Sequence, residues 1–242
     1  MNARDRRAAR HQLPGPEGGT PDRPRRRKEP ITVKQVVDTA LAVIATEGYE
    51  ALTMRRLATA LDTGPASLYA HVVNKSDLDE LLIARLCSEI TLPDPDPEAW
   101  PDQIRSVCTL LRDQYLKYPG ISRAALAMAP TDLETLRLGE GMLGILLAGG
   151  IEPQAAAWAI DALFLYVAAS CLELSMVEQR KVSNDAEWVV DPAELRRRLT
   201  GLPVGTFPHT VRYAREMTAG RIDDRFGFTL GLMIRGLTPG AP

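Results

Sequence analysis

Residues 53–75 read Thr-Met-Arg-Arg-Leu-Ala-Thr-Ala-Leu-Asp-Thr-Gly-Pro-Ala-Ser-Leu-Tyr-Ala-His-Val-Val-Asn-Lys, side chains suited to gripping a polyanion rather than to breaking bonds. Arg55 carries the planar fork that matches guanine O6 and N7 in a major groove. Thr53, at a helix start, offers a hydroxyl and free backbone N–H groups to a phosphate. Tyr69 and Lys75 suit phosphate contacts, which position a module without specifying sequence. Ser67 and His71 can reach base edges or phosphates, while Ala66 and Ala70 offer only apolar contact to thymine methyls. Tyr69 and His71 also suit plain packing between helices. The raw material of catalysis is missing. Cys87, Cys108 and Cys171 have no histidine near them in sequence, and the histidines, His11, His71 and His209, are too scattered for a metal site.

These residues need elements to hold them. Val33, Val36, Val37, Ala40, Leu41 and Ile44 fall on one face of a helix that Thr32 can cap and Gly48 can end. A short helix over 53–61 follows, broken by Asp62-Thr63-Gly64. A third helix starts at Pro65, where a missing N–H costs nothing, and is expected to run to about 72–74. Ser76 is expected to cap a fourth, 77–90, with Leu78, Leu81, Leu82 and Leu86 inward. Two short helices around a three-residue break fit a helix-turn-helix, with Leu57, Ala58, Leu61 and Leu68 as the seam. By spacing alone, an ordinary helical hairpin fits as well.

Composition bounds the rest. Hydrophobic residues make up 45% and aromatics 5% of 242 residues, which favours helices packed on Leu and Ala over a β-sandwich. Three widely spaced cysteines make a disulfide framework improbable and point to a reducing, cytoplasmic setting. The near balance of 29 Lys+Arg against 31 Asp+Glu hides an asymmetry. Residues 1–30 hold nine basic and four acidic side chains, a net of +5, with Leu13 as their one large aliphatic. They read as a disordered basic arm that either adds phosphate contacts or is simply solvated. Residues 31–77 carry a net of −1, which makes help from the arm more plausible. After the Pro93-Asp94-Pro95-Asp96-Pro97 break, helices are expected at 98–118, 121–129, 131–149, 153–180, 191–200, 207–219 and 221–237. Thr131-x-x-Glu134 and Asp191-Pro192-x-Glu194 look like capping boxes. The apolar run from Trp158 is interrupted by Asp161 and Glu173, leaving eleven uncharged residues between them. That is short of the ~20 needed to span a bilayer, so a buried helix and no membrane partner are expected.

The chain resembles TetR-family transcriptional repressors. The resemblance rests on Glu47-Gly48-Tyr49, on Leu52-Thr53-Met54-Arg55-Arg56-Leu57-Ala58 and on Ser67-Leu68-Tyr69-Ala70-His71-Val72-Val73-Asn74-Lys75. It continues more weakly through 150–173 and 225–237. It implies an all-α fold: a three-helix helix-turn-helix DNA-binding domain, 31–77, then a connecting helix and a larger helical ligand-binding and dimerisation domain, 78–242. It implies a repressor that leaves a double-stranded DNA operator when a small molecule binds, works as a homodimer and needs no cofactor or metal. Thr53, Met54, Arg55, Pro65, Ala66, Ser67, Tyr69, His71 and Lys75 become the DNA-facing set. Pro65 stands where family members carry a base-reading glutamine, so direct readout is thin and DNA shape should carry more of the specificity.

For the effector, Tyr115, Met128, Met142, Trp158, Asp161, Leu165 and Glu173 are the candidate pocket residues. Asp161 and Glu173, about 3.3 turns apart, call for a ligand cation or hydroxyl, or for a structural salt bridge. Glu173 aligns with a glutamate of the family's magnesium–tetracycline site, but its histidine and threonine have no counterparts near 126–129. Leu165 and Met142 replace a histidine and a glutamine of that site. An apolar or aromatic effector is therefore expected rather than a magnesium chelate. Leu163, Phe164, Val167, Phe226, Phe228, Leu232 and Ile234 are apolar enough for a four-helix contact between two chains. An all-helical enzyme would need a catalytic cluster, and none occurs; a pure protein adaptor would show no salt-sensitive DNA binding.

Overall fold

The computed structural model describes residues 3–10, 31–126, 131–182 and 191–237. Thirteen α-helices succeed one another among them: α1 Ala3–Arg10, α2 Val33–Glu47, α3 Met54–Ala60, α4 Pro65–Leu68, α5 Lys75–Ser88, α6 Trp100–Leu116, α7 Ser122–Leu126, α8 Leu133–Ala148, α9 Pro153–Val182, α10 Pro192–Thr200, α11 Pro208–Arg212, α12 Ala214–Met217 and α13 Ile222–Arg235. The chain is all-α among the described residues.

Local chemistry sets the head. The Thr32 hydroxyl accepts from the Gln35 N–H at 3.1 Å and Gln35 Oε1 accepts from the Thr32 N–H at 2.8 Å, so two orphan donors of α2 are met reciprocally. Val36, Val37, Ala40, Leu41 and Ile44 then point inward, as their spacing predicts. Leu57, Ala58, Leu68 and Val72 meet them in a seam that fixes how α3 crosses α4. Leu57 is fully buried, so Leu57→Ala is expected to cost about 2–5 kcal/mol, read as a lower midpoint in denaturant unfolding.

Several elements depart from the pattern. α4 stops at Leu68 rather than running to 72–74, because the chain tightens into i→i+3 bonds, Ala70 to Ser67 at 3.3 Å and His71 to Leu68 at 2.8 Å. Asn74, not Ser76, caps α5, accepting from the Asp77 N–H at 2.9 Å, while the Asp77 carboxylate turns back to the Val73 N–H at 2.7 Å. Asp132 caps α8 through the Glu134 N–H at 2.8 Å, and Thr131 instead gives its hydroxyl to Glu80 at 2.7 Å. The expected helix over 207–219 is two, α11 and α12, separated at Tyr213. Part of the arm expected to lack structure, Ala3–Arg10, is helical. α5 packs on α2 of the head and on α6, α7 and α8 of the body.

The body is layered on α9, which is 30 residues long and packs against α6, α7, α8 and α13. Leu163, Val167 and Cys171 of α9 meet Ile104, Val107 and Leu111 of α6 and Leu138, Met142 and Ile145 of α8 in one core. α9 is long and apolar enough to cross a membrane, but its inward face is committed to this core. Head and body meet at a tight joint. The Tyr49 N–H donates to Pro119 O at 2.9 Å, the Gly120 N–H to Ser175 Oγ at 3.1 Å, and Arg123 pairs with Glu50 at 2.5 Å. Gly120 sits at φ +84° with the space of a Cβ only 3.2 Å from the Tyr49 Cβ, so both its conformation and its neighbour exclude a side chain.

Candidate nucleic-acid interface and ligand cavity

In the α3–α4 unit Thr53, Arg55, Pro65, Ala66, Ser67, Tyr69 and Ala70 are all exposed. Thr53 caps α3, its hydroxyl accepting from the Arg56 N–H at 3.0 Å. Arg55 and Arg56 are adjacent in sequence and opposite in circumstance. Arg56 is bound by both oxygens of Glu47, with contacts of 2.5–3.1 Å, and the pair holds the Glu47 carboxyl below its ordinary pKa. The Arg55 guanidinium is exposed and has no partner among the described residues. Only Arg55 is free to offer its fork to a base. Met54 is half-buried against the core and His71 half-buried behind α4. Lys75 lies at the head of α5, paired with Asp79 and 4.0 Å above the Tyr49 ring. Asp79 also accepts from the Tyr49 hydroxyl at 2.8 Å, so Lys75 is part of the packing that sets α5 against the joint.

A cavity of about 170 Å³ opens between α5, α6, α7, α8 and α9. Its walls are largely apolar, with Ile83, Leu111, Leu138, Phe164 and Ala168 among them. Five polar residues interrupt these walls: Tyr115, Thr131, Asp132, Thr135 and Asp161. Burial raises the pKa of the Tyr115 hydroxyl, which keeps it a proton donor. The thiol of Cys87 also borders the cavity and is pushed up to about 11 by burial, so it behaves as a neutral apolar group rather than a nucleophile. The arrangement can enclose an apolar ligand and hold a few of its oxygens or a cation.

Of the seven residues expected in a pocket, the structure gathers Tyr115, Asp161 and Leu165 around this cavity, Leu165 at its exposed mouth. Met142 is wholly buried in the core between α6 and α8. Trp158 is 70% exposed on the outer face of α9, and Glu173 pairs with Arg225 of α13 at 2.6 Å, so neither borders the cavity. Met128 lies outside the described residues. Thr131, Asp132 and Thr135 are lining residues that the sequence pattern did not single out for a pocket, Thr131 being read only as a cap; their i, i+1 and i+4 spacing at a helix start was the available signal. Among the described residues no group of three or more His, Cys, Asp or Glu is placed to hold a metal ion.

The residues proposed for a four-helix contact divide. Leu163, Val167, Phe226 and Ile234 are buried in the chain's own core and Phe164 is partly buried beside the cavity, whereas Phe228 and Leu232 are exposed. α9 and α13 are bound as a slab: Tyr166 stacks on Phe226 at 5.5 Å, and Arg112 of α6 lies 4.7 Å from the centroid of the Phe226 ring while pairing with Asp223 at 2.6 Å.

Comparison with known proteins follows this division of the chain. Residues 36–80 match the model of bacterial regulatory proteins of the tetR family, and residues 92–239 match the tetracyclin repressor-like C-terminal domain. The repressor DrrR1 of Streptomyces coeruleorubidus is 28% identical over 224 residues, 89% of this chain and 80% of that protein. ActR of Streptomyces coelicolor, solved with actinorhodin, is 34% identical with a TM-score of 0.78, covering 88% of this chain and 98% of its own. Its ligand-free form superposes with a TM-score of 0.76 at 35% identity, over 86% and 97% of the two chains. With a free arginine beside a short helix-turn-helix, and with both domains matched in order, this chain belongs to the TetR family of DNA-binding transcriptional regulators.

Proposed function

We propose that the chain is a cytoplasmic, homodimeric repressor that leaves its operator when a polycyclic aromatic molecule enters the cavity between α5 and α9. The observation that carries this reading is the cavity itself: apolar walls, five polar residues, and a wall helix, α5, that continues directly into the head. A ligand that fits the cavity better in one setting of α5 than in another shifts the head between two placements, which is all that release from DNA requires. Actinorhodin bound to ActR supports the aromatic class. The DNA-facing set is proposed as Thr53, Arg55, Ser67 and Tyr69, with Met54, Pro65, Ala66 and His71 shaping the surface around them.

The test is recovery of bound duplex from random genomic fragments, followed by release assays with actinorhodin and with magnesium–tetracycline. Release by actinorhodin with none by magnesium–tetracycline is expected. Release by magnesium–tetracycline alone contradicts the reading. Ala168→Phe, which fills the cavity from α9, is expected to leave operator affinity within about twofold and to weaken release at least tenfold. Release unchanged in this variant places the effector elsewhere.

A further inference from the structure

Two carboxylates three residues apart on α5, Asp77 and Glu80, are almost wholly buried, at 1% and 4% side-chain exposure. Buried acids on one helix face repel each other and need compensating charge. Arg7 of α1 supplies it across seventy residues of sequence, with Nε 3.1 Å from Glu80 Oε2 and 3.5 Å from Asp77 Oδ1. Each acid is also tied to a functional part. Asp77 holds the Val73 N–H, at the end of the segment that follows α4. Glu80 also accepts a hydrogen bond from Thr131, a residue that borders the ligand cavity.

We propose that α1 is an intramolecular latch: docked, Arg7 neutralises Asp77 and Glu80 and keeps the cationic arm off duplex DNA, and the cavity sets the strength of that hold through Thr131. The inference rests on the chain's binding DNA. A guanidinium committed to two carboxylates is not available to a phosphate, so docking and phosphate contact by Arg7 exclude each other. The sign of the link to the cavity follows from Glu80. An effector that takes the Thr131 hydroxyl deprives Glu80 of one donor, which leaves it more dependent on Arg7. The arm is then drawn in as the effector binds, and by reciprocity a docked arm favours the effector.

The test uses the full chain carrying Ala8→Cys and a nitroxide; the native thiols are buried, so the introduced one labels selectively. The label is expected to be immobile in the free protein and to gain severalfold in mobility with Glu80→Gln. On a 24-base-pair random duplex, Glu80→Gln is expected to steepen the salt slope by about 2–4, as up to four arginines of α1 reach phosphates. Neutralising Arg4, Arg6, Arg7 and Arg10 as glutamines should abolish that gain. Thr131→Val should shift the label and the slope the opposite way. A label that Glu80→Gln does not free, a slope gain that survives neutralisation of the arm, or a Thr131→Val shift that is absent or of the same sign overturns the latch while DNA binding stands. Failure of every variant and of the parent chain to bind duplex overturns both readings.

Discussion

Arg55→Ala is expected to lower discrimination between the operator and its single-base variants by about 1–3 kcal/mol, roughly 5- to 150-fold in the ratio of affinities. The size follows from what the side chain can do. Arg55 stands in the first turn of α3 with an exposed guanidinium and no protein partner among the described residues, so its two parallel donors are available for O6 and N7 of one guanine. Lysine at this position keeps the charge and loses the fork, so Arg55→Lys should retain most non-specific affinity while losing discrimination. Arg56→Ala is the internal control. Its guanidinium is already held by Glu47, which ties α3 to the end of α2. That substitution should loosen the head without changing base preference. Binding measured on the operator and on each single-base variant, at fixed salt, separates the two. Equal discrimination before and after Arg55→Ala removes Arg55 as a base reader.

The parts of this molecule written in local chemistry are legible in its sequence. α2 begins at Thr32 and ends at Gly48 because a hydroxyl cap and a residue at φ +82° are short-range requirements. Asp191 caps α10 for the same reason, accepting from the Ala193 and Glu194 N–H groups. The length of α4 is not local. The turn after Leu68 tightens into i→i+3 bonds before Val72 is buried and Asn74 starts α5. Thr131 looked like a cap because Glu134 follows it at the right distance; the competing partner, Glu80, is fifty-one positions away. Arg7 was visible only as one positive charge in a basic segment, since its partners lie in α5.

The same limit governs the candidate pocket. α9 is apolar on nearly every side, and periodicity does not say which side meets the chain's own core and which meets something else. Hence Trp158 reads as a pocket residue and Val167 as an interface residue. In the fold Val167 is fully buried, whereas Trp158 stands 70% exposed away from the cavity that Leu165 does border. Met142 and Tyr115 were indistinguishable by type and burial tendency, and only the placement of α6 against α8 sends one into the core and the other to the cavity. The acids at 161 and 173 were expected to need partners. Glu173 finds Arg225 on the neighbouring helix, and Asp161 reaches solvent at the cavity edge.

Those outward-facing side chains carry the second large effect. Trp158 on α9, with Phe228 at 64% and Leu232 at 50% exposure on α13, stands on a slab whose two helices are already locked by Tyr166, Phe226 and Glu173–Arg225. Large apolar groups held on such a surface favour burial, and a two-fold copy of the same slab would cover them. Phe228→Glu combined with Trp158→Glu is therefore expected to yield a folded monomer, because both positions are already exposed and contribute little to the single chain's core. A lone head retains its half-site contacts but loses the second half-site held in register by its partner. Operator affinity should fall by about 10²–10⁴-fold, the usual span of avidity lost when two linked sites become one. Sedimentation velocity gives the mass and titration with operator duplex gives the affinity, both with helicity checked by circular dichroism. A variant that remains a dimer shows that the α9–α13 slab is not the contact; a monomer with undiminished operator affinity shows that pairing is not what makes the head effective.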